Sequence, residues 1–124
     1  MTPTVRIGLP YGSRGRLLEA AQRLGASTLL SVGSMFRDGH FTPVPAGAWL
    51  TPAALDSAGF TAMMQGGYRW SVSEYVEFVV TNSGDGAMPF PWAWWSAMDF
   101  CCEPEIAPNR LEVERRIDLT VATY

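Results

Sequence analysis

Ala53-Ala54-Leu55-Asp56-Ser57-Ala58-Gly59-Phe60 is a small apolar run that ends in an acid, a hydroxyl, two tiny residues and an aromatic ring. The apolar half has the length of a strand, and the Asp-Ser-Ala-Gly half opens it into a loop. Ala58 and Gly59 would let a ligand approach the backbone, with the Asp56 carboxylate beside it where the strand gives way. The plainer alternative is a turn in which Asp56 caps local amides. The functional alternative gains from a second aspartate, Asp99, which follows another apolar run, Trp92-Ala93-Trp94-Trp95-Ser96-Ala97-Met98.

The flanking sequence sets these two runs in a repeating order. Val5-Arg6-Ile7-Gly8-Leu9 reads as a strand stopped by Pro10. Ser13 is placed to cap a helix whose apolar positions are Leu17, Leu18, Ala21 and Leu24, and Gly25 closes it. Thr28-Leu29-Leu30-Ser31-Val32 is apolar enough for a buried parallel strand. Residues 33–49 read as a loop-rich insertion with Arg37 and His40 as its notable polar side chains, and a lone histidine there is most simply solvated. After a glycine pair at Gly66-Gly67, Ser71 or Ser73 starts a helix with Tyr75, Val76, Val79 and Val80 on its apolar face. Asn82-Ser83-Gly84-Asp85-Gly86 breaks it. The tryptophan run then reads as a buried, aromatic-rich strand and loop, with at least one of its three tryptophans packed in the core. A last amphipathic helix follows Pro108-Asn109, carrying Leu111, Val113, Ile117 and Val121.

Strands alternating with helices predict a parallel α/β domain. Neither a Gly-x-Gly-x-x-Gly after the first strand nor a Walker-type loop is present, which disfavours a nucleotide-cofactor fold. Asp56 and Asp99 both lie towards the carboxyl ends of strands, the catalytic face of a (β/α)8 barrel. Such a barrel typically needs about 250 residues. The expected architecture is therefore one partial domain over residues 1–124, the N-terminal half of a TIM barrel.

Composition narrows the chemistry. Hydrophobic residues make up 48% and charged residues 17%, a balance that belongs to globular rather than disordered chains. The net charge of -3 gives no bulk footprint for nucleic acid, although a local arginine patch can serve. All nine basic residues are arginine, and without lysine there is no Schiff-base chemistry. The adjacent Cys101 and Cys102 do not make a disulfide framework, and with His40 they do not make a tetrahedral zinc site. No signal-peptide run opens the sequence and no segment reaches membrane-spanning length. Cytoplasmic location without membrane association is the expectation.

Two motifs carry a family resemblance. Leu55-Asp56-Ser57-Ala58-Gly59-Phe60 resembles the Asp-Ser-Gly-Gly-Phe signature of tRNA-guanine transglycosylases, and Asp99-Phe100-Cys101-Cys102-Glu103-Pro104 resembles their Asp-x-Cys base-recognition segment. The order is closest to the DNA-modifying branch, the deazapurine DNA transglycosylases (DpdA-like). There the signature is similar to Leu-Asp-Ser-x-Gly-Phe, a Gly-x-x-Trp turn, a Tyr-Val helix and Asp-x-x-Cys-Glu-Pro. In this chain the turn is Gly67-Tyr68-Arg69-Trp70, the helix carries Tyr75-Val76, and the closing stretch Arg115-Arg116-Ile117-Asp118-Leu119-Thr120 is also similar. Ala58 departs from the tRNA enzymes' glycine.

The resemblance implies exchange of guanine for a 7-deazaguanine of the preQ0 type through a covalent sugar–enzyme intermediate. The polymer that the resemblance implies is DNA, with tRNA second. Asp56 would be the catalytic residue, acting in proton transfer and base contact. Asp99 would accept hydrogen bonds from the guanine edge, and Ser57, Gly59, Phe60 and Cys101 would line the pocket, Phe60 as a stacking face. The family's nucleophilic aspartate and its zinc-binding cysteines would lie beyond residue 124. No cofactor is therefore expected in this chain, a structural zinc belongs to a full-length form, and a second chain completing the barrel is the partner of a split enzyme. A phage-encoded chain would work in the host cytoplasm. Two alternatives stand beside this one: an inactive module or partner subunit that binds a purine or nucleic acid, and a barrel glycosidase using Asp56 and Asp99 as an acid/base pair.

Overall fold

The four apolar runs form β1 (Ile7–Leu9), β2 (Thr28–Ser31), β5 (Ala53–Asp56) and β6 (Trp92–Trp95). The computed structural model describes residues 4–9, 16–42, 53–83 and 92–123. The four strands make one sheet in the order β1-β2-β5-β6, every pair parallel. The chain is thus α/β, with strands added in one direction along the sheet. Right-handed crossovers between strands laid down in that order put their connections on one face.

That face holds the core. Leu30, Ala53, Leu55 and Trp92 pack against Tyr75, Phe78 and Val79 of α3 (Val72–Thr81) and against Trp70. Ser71, rather than Ser73, caps α3. Its hydroxyl accepts from the Glu74 amide at 3.2 Å, and its own amide donates back to the Glu74 carboxylate at 2.7 Å, a complete capping box. Helix α1 (Leu17–Arg23) is followed by Gly25 at φ 66, as its sequence predicts, whereas the expected cap, Ser13, lies outside the described residues. Helix α4 (Arg110–Val121) starts with the Asn109 side chain accepting from the Glu112 amide at 3.0 Å. Its Leu111, Ile117 and Val121 are exposed. The helix is held instead by polar contacts to residues 98–102, among them Arg116 donating to the Cys101 carbonyl at 3.2 Å.

Three local features differ from expectation. The insertion at 33–49 contains a 3-10 turn (Val32–Met35) and a hairpin of β3 (Phe36–Arg37) and β4 (His40–Phe41). Asp38 at φ 51 and Gly39 at φ 82 supply the tight turn that Asp-Gly favours. The hairpin lays Phe36 on Trp70 and stacks Phe41 on Phe78, with ring centroids 5.1 and 4.6 Å apart. Second, residues after Asp56 enter a six-residue helix, α2 (Gly59–Met64). Third, only Trp92 of the tryptophan run is buried; Trp94 and Trp95 are half exposed. A bulge explains the exposure of Trp94. Ala53 pairs with Trp92 but Ala54 pairs with Trp94, so Ala93 is the extra residue and turns Trp94 to the opposite face from Trp92.

That opposite face carries its own pattern. Residues paired across the strands share a face, and Gly8, Leu29, Ala54 and Trp94 form one row across the sheet. Ser31 and Asp56 pair in the next row of the same face. The Arg6 guanidinium lies 5.8 Å from the Trp94 ring centre. Outer strands of a four-stranded sheet are about 14 Å apart at roughly 4.8 Å per step, so this contact crosses the whole face. Among the described residues, no helix is long and apolar enough to cross a membrane.

Candidate functional site

Asp56 is the last residue of β5, and residues 96–101 run on from the carboxyl end of neighbouring β6. Parallel pairing of β5 and β6 therefore brings the two aspartate motifs to the same end of the sheet. The join is a closed ring of hydrogen bonds. The Asp99 amide donates to Ser57 Oγ at 3.3 Å, and Tyr68 Oη donates to the Asp99 carbonyl at 2.6 Å. Ser57 Oγ and Tyr68 Oη are 3.4 Å apart, and because the tyrosine proton is committed to Asp99, the serine is the donor between them. A second tie runs beneath, where the Ser57 amide donates to Ser96 Oγ at 2.9 Å and Tyr75 Oη to the Ser96 carbonyl at 2.7 Å.

Gly59 is where the fit is tightest. A Cβ added there would sit 2.5 Å from the Asp99 carbonyl oxygen and 3.0 Å from Tyr68 Oη. Alanine would gain at most about 1 kcal/mol of helix propensity in α2. Driving a methyl into a packed backbone costs about 1–3 kcal/mol, and the hydrogen-bonded ring leaves this backbone little room to retreat. The clash wins. Gly59→Ala is expected to lower unfolding stability in a denaturant titration and to push residues 98–101 away from Ser57. An alanine variant as stable as the parent would show that this approach is not required.

The two carboxylates stand in different settings. Asp56 is partly buried and its Oδ2 accepts the Ala58 amide at 3.0 Å, so the local turn is real and coexists with the strand-end position. Asp56 also lines a cavity of about 280 Å³ with Gly8, Leu9, Leu29 and Ser31. Asp99 is exposed, takes no part in that lining, and accepts a contact from Cys101 Sγ at 3.4 Å. Ser57, Gly59 and Cys101 are buried around the join, while Phe60 is 53% exposed on α2. Burial pushes the Tyr68 phenol up to about 12, and burial with a smaller push from the Asp56 charge holds the Tyr75 phenol above its ordinary value. Both stay protonated donors at neutral pH.

Burial, then the Asp99 charge, pushes the Cys101 thiol from 9.0 up to about 12. The reactive thiolate is correspondingly scarcer by about a thousand-fold. Alkylation of Cys101 at pH 8, followed by peptide mass spectrometry, is expected to be far slower than that of an unhindered thiol; equal rates would contradict this environment. Because folding raises this pKa, the stability linked to it is fully present below pH 9 and is lost as pH rises towards 12.

The sequence assigns no site role to Tyr68, Tyr75 or Ser96. Tyr68 lies in the Gly67–Trp70 turn of the family resemblance, Tyr75 reads as part of the apolar face of its helix and is buried there, and Ser96 closes the tryptophan run without any distinguishing pattern. Their roles come from hydrogen bonds between residues 11 to 39 positions apart. Among the described residues, no group of three or more His, Cys, Asp and Glu could hold a metal ion. No family model, curated protein or solved structure matches this chain.

Proposed function

We propose that this chain is the base-binding, N-terminal half of a (β/α)8 transglycosylase that exchanges guanine in DNA for a 7-deazaguanine of the preQ0 type. The observation that carries it is the hydrogen-bonded ring joining Ser57 and Tyr68 to the Asp99 backbone, with Gly59 against the same carbonyl. It holds the two motifs of the family resemblance together at the carboxyl ends of adjacent strands. The half-barrel architecture draws support from the row Gly8, Leu29, Ala54 and Trp94, which alternates small and large side chains as packed barrel interiors do.

In this account Asp99 accepts the N1 and amino hydrogens of guanine, since one carboxylate offers two acceptors to two adjacent donors. Asp56 moves the proton on the departing and arriving base. The Tyr68 and Tyr75 phenols position the strand ends and stay out of the proton transfer, their acidity being too weak at neutral pH. The nucleophile that holds the sugar has no counterpart in residues 1–124, so exchange requires the remaining strands of the barrel. That same gap favours the second reading, a purine-binding module without chemistry.

Incubating the completed barrel with labelled guanine, double-stranded DNA and tRNA separates the readings. Label entering DNA is the expected result. Label entering tRNA alone overturns the choice of polymer, and base binding without incorporation identifies the binding module.

A further inference from the structure

We infer that a cavity of about 180 Å³ next to the base site holds a phosphodiester group of the DNA strand, with Arg69 as its charged contact. The identity of the polymer rests on the transglycosylase reading; the anion chemistry of the cavity does not.

The cavity lies where the chain leaves β2 and passes through α2 to the Gly67–Trp70 turn. Its polar lining is the hydroxyls of Ser31, Ser34 and Thr61, the Gln65 carboxamide and the Arg69 guanidinium, and no carboxylate is among the described residues that line it. The chain as a whole carries a net charge of -3, so a donor-rich wall with one cation is a local exception that attracts an anion. Arg23, Arg110, Arg115 and Arg116 each lie against a glutamate, whereas Arg69 has no carboxylate partner among the described residues. It is held in another way. Its Nη2 donates to the Phe36 carbonyl at 3.4 Å, and the guanidinium sits 5.2 Å from the centre of the Phe36 ring. That contact fixes the planar fork and leaves most of its N–H donors for the oxygens of a phosphate. Among the described residues, the side chains of Ser31, Thr61 and Gln65 make no hydrogen bond either, so their donors are also available.

Position ties this cavity to the base. Ser31 lines both this cavity and the one of about 280 Å³ at Asp56, and it pairs with Asp56 across β2 and β5. Paired strands lie about 4.8 Å apart. The two cavities therefore meet at one side chain, as adjoining parts of one nucleotide require, with the base beside Asp56 and a phosphate beside Arg69. An enzyme that acts on a base takes it out of the stack. A phosphate contact at the flanking backbone then fixes the register of the strand without reading its sequence.

The test is fluorescence anisotropy of a labelled single-stranded deoxyoligonucleotide, titrated with the 124-residue chain over a range of salt concentrations. Arg69→Gln is expected to weaken binding by about ten-fold or more. It should also reduce the slope of log affinity against log salt by about 0.7, the share of one phosphate on a single strand. Arg69→Lys keeps the charge and loses the fork, so it should weaken binding while keeping the slope. Unchanged affinity and slope in Arg69→Gln, with circular dichroism matching the parent, would overturn the inference. So would an Arg69→Lys chain that loses the slope as the glutamine variant does, because the effect then follows from the Phe36 contact and not from charge. Inorganic phosphate that shifts the amides of Gly33, Ser34 and Thr61 and is not displaced by the oligonucleotide would also overturn it, marking a site for the free anion. Free guanine carries no phosphate, so its binding should be equal in the parent and Arg69→Gln. Guanine bound by neither, alongside oligonucleotide binding that depends on Arg69, would remove the proposed base site alone; guanine bound by both, alongside an oligonucleotide indifferent to Arg69, would remove this inference alone.

Discussion

In the completed barrel, Asp56→Asn is expected to slow guanine exchange by roughly a hundred- to ten-thousand-fold, the usual contribution of a positioned proton-transfer group. The substitution is chosen for what it keeps. Asparagine retains an oxygen to accept the Ala58 amide, which the native carboxylate does at 3.0 Å, so the turn into α2 survives. It also keeps the volume at the edge of the cavity shared with Ser31 and Leu29. What is lost is the charge and the ability to take up a proton. Folding stability should therefore stay close to that of the parent while the chemical step fails. Single-turnover exchange of labelled guanine reads that step directly, and an Asn variant as fast as the parent would remove Asp56 from the chemistry.

The second large effect is expected at Asp99, where truncation to alanine should weaken purine binding by about a hundred-fold or more. Two hydrogen bonds from guanine to a charged acceptor contribute about 1.5–3 kcal/mol each, and about 1.4 kcal/mol corresponds to a factor of ten in affinity. The fold should tolerate the change. Segment 98–101 is tied down through its backbone, by the Asp99 amide on Ser57, the Asp99 carbonyl on Tyr68 and the Cys101 carbonyl on Arg116. The exposed carboxylate contributes only the 3.4 Å contact with Cys101 Sγ. Asp99→Ala thus separates recognition from architecture, whereas Gly59→Ala disturbs both.

Elements written in local pattern were legible in the sequence. The apolar runs at Thr28–Ser31 and Ala53–Asp56 are short and continuous, as buried parallel strands are, and α3 and α4 announce themselves with Ser71 and Asn109 before periodic segments. Helix α2 was not legible, because it has only six residues, begins at a glycine and is preceded by Ala58 in a left-handed conformation without a side-chain cap. The hairpin could have been found from Asp38-Gly39 between Phe36-Arg37 and His40-Phe41, but strands of two residues carry too little alternation to stand out from a loop. The core position expected for at least one tryptophan falls to Trp92, and the exposure of Trp94 was not legible for a different reason. Composition favours burial of tryptophan, and only the pairing register exposes the extra residue, Ala93, that sends Trp94 to the other face. For the site, the motifs pointed to Asp56, Ser57, Gly59 and Asp99, yet the ring that joins them needs Tyr68, whose position depends on the tertiary fold.

The central claim is that the two aspartate motifs form one purine site. Titrating guanine into the isotopically labelled parent chain and its Asp99→Ala variant, with the amides of Ser57, Gly59, Asp99 and Cys101 followed by NMR, tests it most directly. The account predicts that these amides shift together in the parent along one saturation curve and that the curve is lost in the variant. Shifts confined to one motif, or binding that Asp99→Ala leaves intact, would contradict it.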